Sequence, residues 1–218
     1  MPRRIVVAID GPAGAGKSTI ARQLAEKLGF LYVDSGAMYR CVALWALRNQ
    51  TPPGDVAALE QLAIHADIGL NHGRVTLNGE DVSAAIRTPE VAAMASQVAA
   101  VGGVRRALVE KQRRLSADYS VVMEGRDIGS VVFPEATVKI FLDASAEERA
   151  RRRGFESGED AASLAERDRR DRSRLESPLV QAPDAVYIDS SGRSVEEVTE
   201  LILKVIRART ANGAEVTR

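Results

Sequence analysis

The chain has a single cysteine, Cys41, and two histidines, His65 and His72, among its 218 residues. One cysteine excludes an internal disulfide framework and fits a reducing compartment, where Cys41 is expected to pack as a small buried residue. So few Cys and His leave no ligand set for a transition metal. Neither charge is in excess: 30 basic and 30 acidic residues give a formal net charge of zero. That balance argues against broad binding to nucleic acid or to a membrane surface. No apolar run approaches the ~18 residues of a membrane span. Met1-Pro2-Arg3-Arg4 enters a strand pattern at once, so no signal peptide is expected and a cytoplasmic protein is. No exposed apolar assembly stripe is visible, and a monomer is expected. Lysine is scarce too: beside Lys17, Lys27, Lys111, Lys139 and Lys204 every cationic residue is Arg. The arginine fork suits phosphate, although a coding preference, signalled by abundant Ala, accounts for most of the bias.

What is present is a globular composition, 45% hydrophobic, and a βα rhythm. Ile5–Ile9, Phe30–Val33, Ser120–Met123, Val138–Leu142 and Ala185–Ile188 read as buried strands separated by helical patterns. This predicts an α/β fold with a parallel sheet covered on both faces. Ser145-Ala146-Glu147-Glu148 and Ser194-Val195-Glu196-Glu197 carry capping-box spacing. The second opens a helix with Val198, Leu201, Ile202, Val205 and Ile206 on one stripe. Two stretches break the rhythm. Residues 64–89 contain Arg74–Leu77, then Asn78-Gly79, then Glu80–Val82, the signal of a hairpin in a small β insert. Residues 154–174 are charge-dense with few large apolar groups and read as a mobile surface flap, and the tail 210–218 has little to bury and should fray.

The most specific motif is Gly11-Pro12-Ala13-Gly14-Ala15-Gly16-Lys17-Ser18, which fits G-x-x-x-x-G-K-[ST] at every fixed position. It lies between the strand Ile5–Ile9 and the amphipathic run Ile20–Leu28. Strand, glycine loop and helix together make a phosphate cradle, with backbone N–H groups and a helix N-terminus facing the polyphosphate. Lys17 is expected to reach the β- and γ-phosphates and the Ser18 hydroxyl to bind Mg²⁺.

Three further constellations each admit a plainer reading. Asp34, Ser35 and Gly36 end the second strand, where ligands bind in open parallel sheets, with Arg40 on the following helix. The alternative is a capped strand-to-helix turn. Glu124 ends the third strand, placed to hold Mg²⁺ through water, with Arg126 and Asp127 beyond it. The alternative is a strand-end turn with an internal Arg126–Asp127 pair. Arg149, Arg151, Arg152 and Arg153 lead into Glu166–Arg174, where Arg167, Arg170, Asp171 and Arg174 share a helix face. Such runs are usually solvated faces, but downstream of a phosphate loop a flap that delivers arginine to the transferring phosphoryl group explains them better.

These segments together resemble the bacterial-type cytidylate kinases, P-loop nucleoside monophosphate kinases, from about Ile5 to Leu203. The resemblance is carried by Ile9-Asp10-Gly11-Pro12, Asp34–Arg40, Ile86–Val91, Ala95–Ala99, Glu124–Gly129, Val132-Phe133-Pro134 and the flap ending Arg172-Ser173-Arg174. It implies a three-layer α/β/α core with five parallel strands, a β-containing monophosphate-binding insert and a short helical lid. The implied boundaries are core 1–36, monophosphate-binding region 37–98 with its insert at about 64–90, core 99–150, lid 151–174 and core 175–209. It implies ATP contacts along Gly11–Thr19, Thr19 included. Asp34, Ser35, Gly36, Arg40, Ser96, Arg105, Arg126, Asp127, Arg167, Asp171 and Arg174 would bind the acceptor, and Lys17, Arg126, Arg152 and Arg174 would serve catalysis. The implied substrates are ATP, CMP and dCMP, with Mg²⁺ as cofactor, and UMP is expected to be a poor acceptor. One departure is Gly154-Phe155-Glu156-Ser157-Gly158, short for the family. Another acceptor (UMP, AMP, dTMP, shikimate) is the nearest rival, a catalytically silent binding module another. A guanine-nucleotide switch lacks its Asn-Lys-x-Asp motif here.

Overall fold

The computed structural model describes residues 4–71, 73–157, 161–174 and 176–214. His72, Gly158 and residues 215–218 of the expected tail lie outside them. In chain order the elements are β1 (Val6–Asp10), α1 (Lys17–Leu28), β2 (Leu31–Asp34), α2 (Ser35–Arg48), α3 (Val56–His65), β3 (Ile68–Asn71), β4 (Arg74–Leu77), β5 (Glu80–Asp81), α4 (Pro89–Val98), α5 (Gly102–Asp118), β6 (Val121–Gly125), β7 (Val138–Asp143), α6 (Ala146–Ser157), α7 (Ala161–Ser173), β8 (Val186–Asp189) and α8 (Val195–Ala214). They form two compact units, Met1–Val33 with Leu115–Arg218, and Asp34–Arg114.

The first unit is built on a five-stranded parallel sheet in the order β2-β6-β1-β7-β8. Val7 pairs with Val122 on one side and Val138 on the other, so the central strands are apolar on both faces, as a doubly covered sheet requires. Ile20, Ala21 and Leu24 of α1 and Val198, Ile202 and Ile206 of α8 close one core with Val7, Ile9, Ile140 and Leu142. Each large aliphatic buried this way stabilises the fold by about 1.5–3 kcal/mol. Ser194 and Glu197 form a complete capping box, Glu197 N donating to Ser194 Oγ at 3.1 Å and Ser194 N to Glu197 Oε2 at 2.8 Å. At Ser145 only half forms: Glu148 N donates to Ser145 Oγ at 3.2 Å, while the Glu148 carboxylate turns to Arg151 and Arg152. Helix α8 runs on to Ala214.

In the second unit α2 packs on α4 over a core containing Met38, Val42, Leu59, Ile86, Val91, Val104 and Leu108. Cys41 is buried there, and burial first, then the charge of Asp34, pushes its thiol up to about 12. Thr88 caps α4 through Val91 N, with Pro89 at the first helical position. The insert is a three-stranded antiparallel sheet, β3-β4-β5. Asn78 and Gly79 turn the hairpin at φ 51° and 85°, the paired positive angles that Asn-Gly adopts at least cost. Strand β3 was not foreseen. No helix among the described residues is long and apolar enough to cross a membrane.

Candidate active site

The phosphate loop leaves β1 at the C-terminal edge of the sheet. Gly11 and Gly14 are required there by close approach: a Cβ on Gly11 would overlap the Leu142 carbonyl oxygen of β7, and one on Gly14 would lie 2.7 Å from the Arg149 carbonyl oxygen of α6. Helix α1 then starts at Lys17, with Ser18 and Thr19 exposed in its first turn. Lys17 Nζ donates to the Pro12 carbonyl at 2.6 Å, folded back on its own loop. Burial, reinforced by the charge of Arg126 and partly offset by Glu124, pushes the Lys17 ammonium down to about 7. Arg167 and Asp10 also act on it electrostatically. Lys17, Arg126 and Arg167 thus concentrate positive charge at the loop, an arrangement that a polyphosphate would relieve.

The end of β6 is held from two directions. Glu124 is buried and accepts from the Tyr32 hydroxyl at 2.6 Å. Asp10, the last residue of β1, accepts from Ile128 N and Gly129 N, both at 2.7 Å, and so fixes the turn that carries Arg126 and Asp127. Burial pushes the Asp10 carboxyl up to about 6, the two N–H donors opposing it and Asp127 adding to it. Arg126 pairs with Asp171 of α7, Nε to Oδ2 at 2.9 Å, a contact that links the end of β6 to the flap.

The flap is two helices, α6 and α7, and one side of its charge run is buried while Glu166, Arg169 and Arg172 stay exposed. Asp168 and Asp171 are only 3% and 2% exposed, and Leu164 is buried beside them. Asp171 pairs with Arg174 as well as Arg126. Burial alone would raise its carboxyl, but the two guanidiniums outweigh burial and hold it below the usual range. Burial likewise opposes the charge on Arg126, and Asp171 reverses that effect. Arg152 donates to Ser190 Oγ and the Ser190 carbonyl, each at 3.0 Å, and Ser190 Oγ donates to the Ala15 carbonyl of the loop at 3.1 Å. The structure thus gathers Lys17, Arg126, Asp171, Arg174 and, by its charge, Arg167 around the loop and the β6 turn, with Arg152 reaching the loop through Ser190.

In the second unit the residues expected to bind the acceptor fall on three helices. Asp34 caps α2, accepting from Ala37 N at 3.0 Å, so the capped-turn reading holds for its side chain. Ser35 and Gly36 open α2, and Arg40 lies half-buried one turn on. Ser96 is buried on α4. Arg105, buried on α5, donates to the Ala99 carbonyl at 3.1 Å and lies over the Tyr39 ring at 5.3 Å. The reading of the sequence did not assign roles to Asp10, Tyr32, Arg149, Asp168 or Ser190. Asp10 and Asp168 sat inside quoted motifs, but nothing local distinguishes a buried acid from a solvated one.

Among the described residues no cluster of three His, Cys, Asp or Glu could cage a metal ion. Ser18 and Glu124 nonetheless offer hard oxygen donors, the set that suits Mg²⁺, an ion that keeps waters and shares phosphate oxygens.

The cytidylate kinase family model matches residues 7–208. A curated cytidylate kinase of Solibacter usitatus (strain Ellin6076) is 58% identical over 224 residues, covering 98% of this chain and 97% of that one. One of Geobacter sp. (strain M21) is 48% identical, covering 96% and 95%. Among solved structures, a gluconokinase from Sinorhizobium meliloti 1021 superimposes with a TM-score of 0.56 at 15% identity over 99% and 100% of the two chains, a likeness of fold alone. With a phosphate loop on a five-stranded parallel sheet and relatives matching nearly end to end, the chain belongs to the cytidylate kinase family.

Proposed function

We propose that the protein transfers the γ-phosphoryl group of ATP to CMP, and to dCMP as a second acceptor, giving ADP and CDP or dCDP. The observation that carries this reading is the phosphate loop with its buried Lys17, in a chain that matches the cytidylate kinase family model over residues 7–208. In the reaction a CMP phosphate oxygen attacks the γ-phosphorus in line, and the bond from that phosphorus to the β-bridging oxygen breaks, leaving ADP. The attacking oxygen is already ionised at neutral pH, so no general base is needed. Catalysis reduces to aligning two polyanions and neutralising the charge between them.

In this reading the backbone of Gly11–Thr19 cradles ATP and Lys17 leaves Pro12 for the β- and γ-phosphates. Mg²⁺, held by Ser18 and through water by Glu124, would supply charge neutralisation between phosphates. Arg126, Arg152 and Arg174 stabilise the transferring group, an effect that reaches ~10³- to 10⁵-fold for one arginine. Arg40 and Arg126 anchor the acceptor phosphate. Ser35, Gly36, Ser96, Arg105 and Asp127 contact the nucleoside, with Asp34 shaping the turn that presents Ser35 and Gly36, and Arg167 and Asp171 meet the sugar and phosphate. The helices α6 and α7 act as a lid that excludes water, the competing acceptor. Asp127 would accept from the cytosine N4 amino group and repel the uracil O4, making UMP a poor acceptor. The balanced net charge supports free nucleotides rather than nucleic acid or a membrane as partners. The lack of an apolar assembly stripe supports a monomer, and the single cysteine supports the cytoplasm.

The test is turnover with Mg²⁺-ATP and CMP, dCMP, UMP, AMP, GMP or dTMP offered separately. We expect strong transfer to CMP and dCMP with UMP far behind. Preferential transfer to another acceptor would overturn the base assignment, and no transfer to any would overturn the kinase reading.

A further inference from the structure

Contacts from two helices converge on Ala13 of the phosphate loop. Arg149 of α6 donates from Nη1 to the Ala13 carbonyl at 3.1 Å, and Asp168 of α7 accepts from Ala13 N at 3.4 Å. Arg149 and Asp168 also pair with each other. Arg149 Nε donates to the Ala144 carbonyl at 3.2 Å and lies 3.6 Å from Asp143, so the guanidinium is held on several sides. Both side chains are largely withdrawn from water, 11% and 4% exposed. A buried ion pair is tolerable only when its remaining donors and acceptors are satisfied, and here backbone groups of the loop satisfy part of both. The space limits slack as well, because α6 already lies within contact of Gly14. Three residues beyond Asp168, on the same face of α7, Asp171 holds Arg126 and Arg174.

Building on the phosphoryl-transfer reading above, we propose that Arg149 and Asp168 are a positioning pair that seats α6 and α7 on Ala13, fixing the arginines of α7 relative to the phosphate loop. Neither side chain touches the transferring group. The clasp holds the outer edge of the loop and leaves its glycine-rich interior to phosphate. Its loss falls on phosphate alignment and on water exclusion, because it grips the loop and the two helices that carry the phosphate- and sugar-contacting residues, and it spares base choice, which rests on Asp127.

The test is steady-state kinetics of Asp168→Asn and Arg149→Lys with ATP, CMP and UMP varied in turn, together with the ratio of inorganic phosphate released to CDP formed. For Asp168→Asn we expect kcat/KM for ATP to fall about ten- to hundredfold, as small misplacements of reacting groups do. The CMP-to-UMP preference in kcat/KM should stay within about twofold, and the phosphate-to-CDP ratio should rise. Arg149→Lys, which keeps the charge but not the fork, should show the same pattern more weakly. The Arg149→Lys/Asp168→Asn double variant should lose little more than the worse single one, since the two side chains act as a unit. Should Asp168→Asn fail to fold, Arg149→Lys carries the same test. An active wild type with an unchanged phosphate-to-CDP ratio in the variants, or with a CMP-to-UMP preference that shifts by more than about twofold, would overturn the clasp alone. A wild type silent with every acceptor would overturn the phosphoryl-transfer reading beneath it.

Discussion

The two units of the chain use charge in opposite ways. In Asp34–Arg114, Arg105 is the single ionised side chain among the buried polar groups described, beside Ser35, Ser96 and Gln112. Most other charges there sit on the surface, as in the exposed pairs of Arg48 with Glu80 and Arg74 with Asp81. The unit carrying the phosphate loop instead buries Asp10, Lys17, Glu124, Asp127, Lys139, Arg149, Asp168 and Asp171. One unit is held by an apolar core, and the other combines such a core with charges that, Lys139 with its partner Asp184 apart, gather at the sheet's C-terminal edge. Burying charge is costly, and a fold driven by stability alone would avoid it. Its concentration around one loop marks where a polyanion is handled.

This contrast can be broken at several points. Lys17→Ala should lower turnover by about 10³-fold while the thermal melt stays cooperative. Near-normal turnover would remove the phosphate loop from the mechanism. Asp127→Asn should narrow the CMP-to-UMP preference in kcat/KM by about tenfold to a hundredfold, and an unchanged preference would assign base reading to another group. Asp10 gives a pH signature. Its folded carboxyl is raised to about 6 from an ordinary 3.8, burial being the main cause. Its stabilising contribution is therefore fully present below pH 3.8 and lost as pH rises through about 6. Relative to Asp10→Asn, the native protein should gain about 2 kcal/mol in urea unfolding between pH 7 and pH 4; a flat or reversed difference would contradict the raised carboxyl. Smallest of all, Arg48→Ala in the other unit breaks an exposed pair and should leave turnover unchanged with only a slight loss in melting temperature.

Much of the fold was legible because it rests on local pattern. The phosphate loop, the five strands and the Asn78-Gly79 hairpin follow from apolar runs, glycine spacing and turn chemistry. The strand ends did not. Each run was read as stopping at its last apolar residue, yet the strands end at Asp10, Asp34, Gly125, Asp143 and Asp189. The ladder continues one or two residues past the hydrophobic core, and those residues line the sheet's C-terminal edge, where such folds bind ligands. Strand β3 was missed because Gly69 and Asn71 interrupt its apolar pattern. The site was half legible. Spacing placed Arg167, Asp171 and Arg174 on one helix face, but partners come from elsewhere in the chain. Asp168 lies in a run of Arg and Asp, and nothing in that run shows that it meets Ala13 and Arg149.

The most direct test of the account is phosphorus NMR of one reaction in which Mg²⁺-ATP meets equimolar CMP and UMP. The account predicts ADP and CDP rising together in equal amounts, with UDP appearing only once CMP is consumed. ATP lost to inorganic phosphate without CDP, or UDP rising alongside CDP at the same rate, would contradict it.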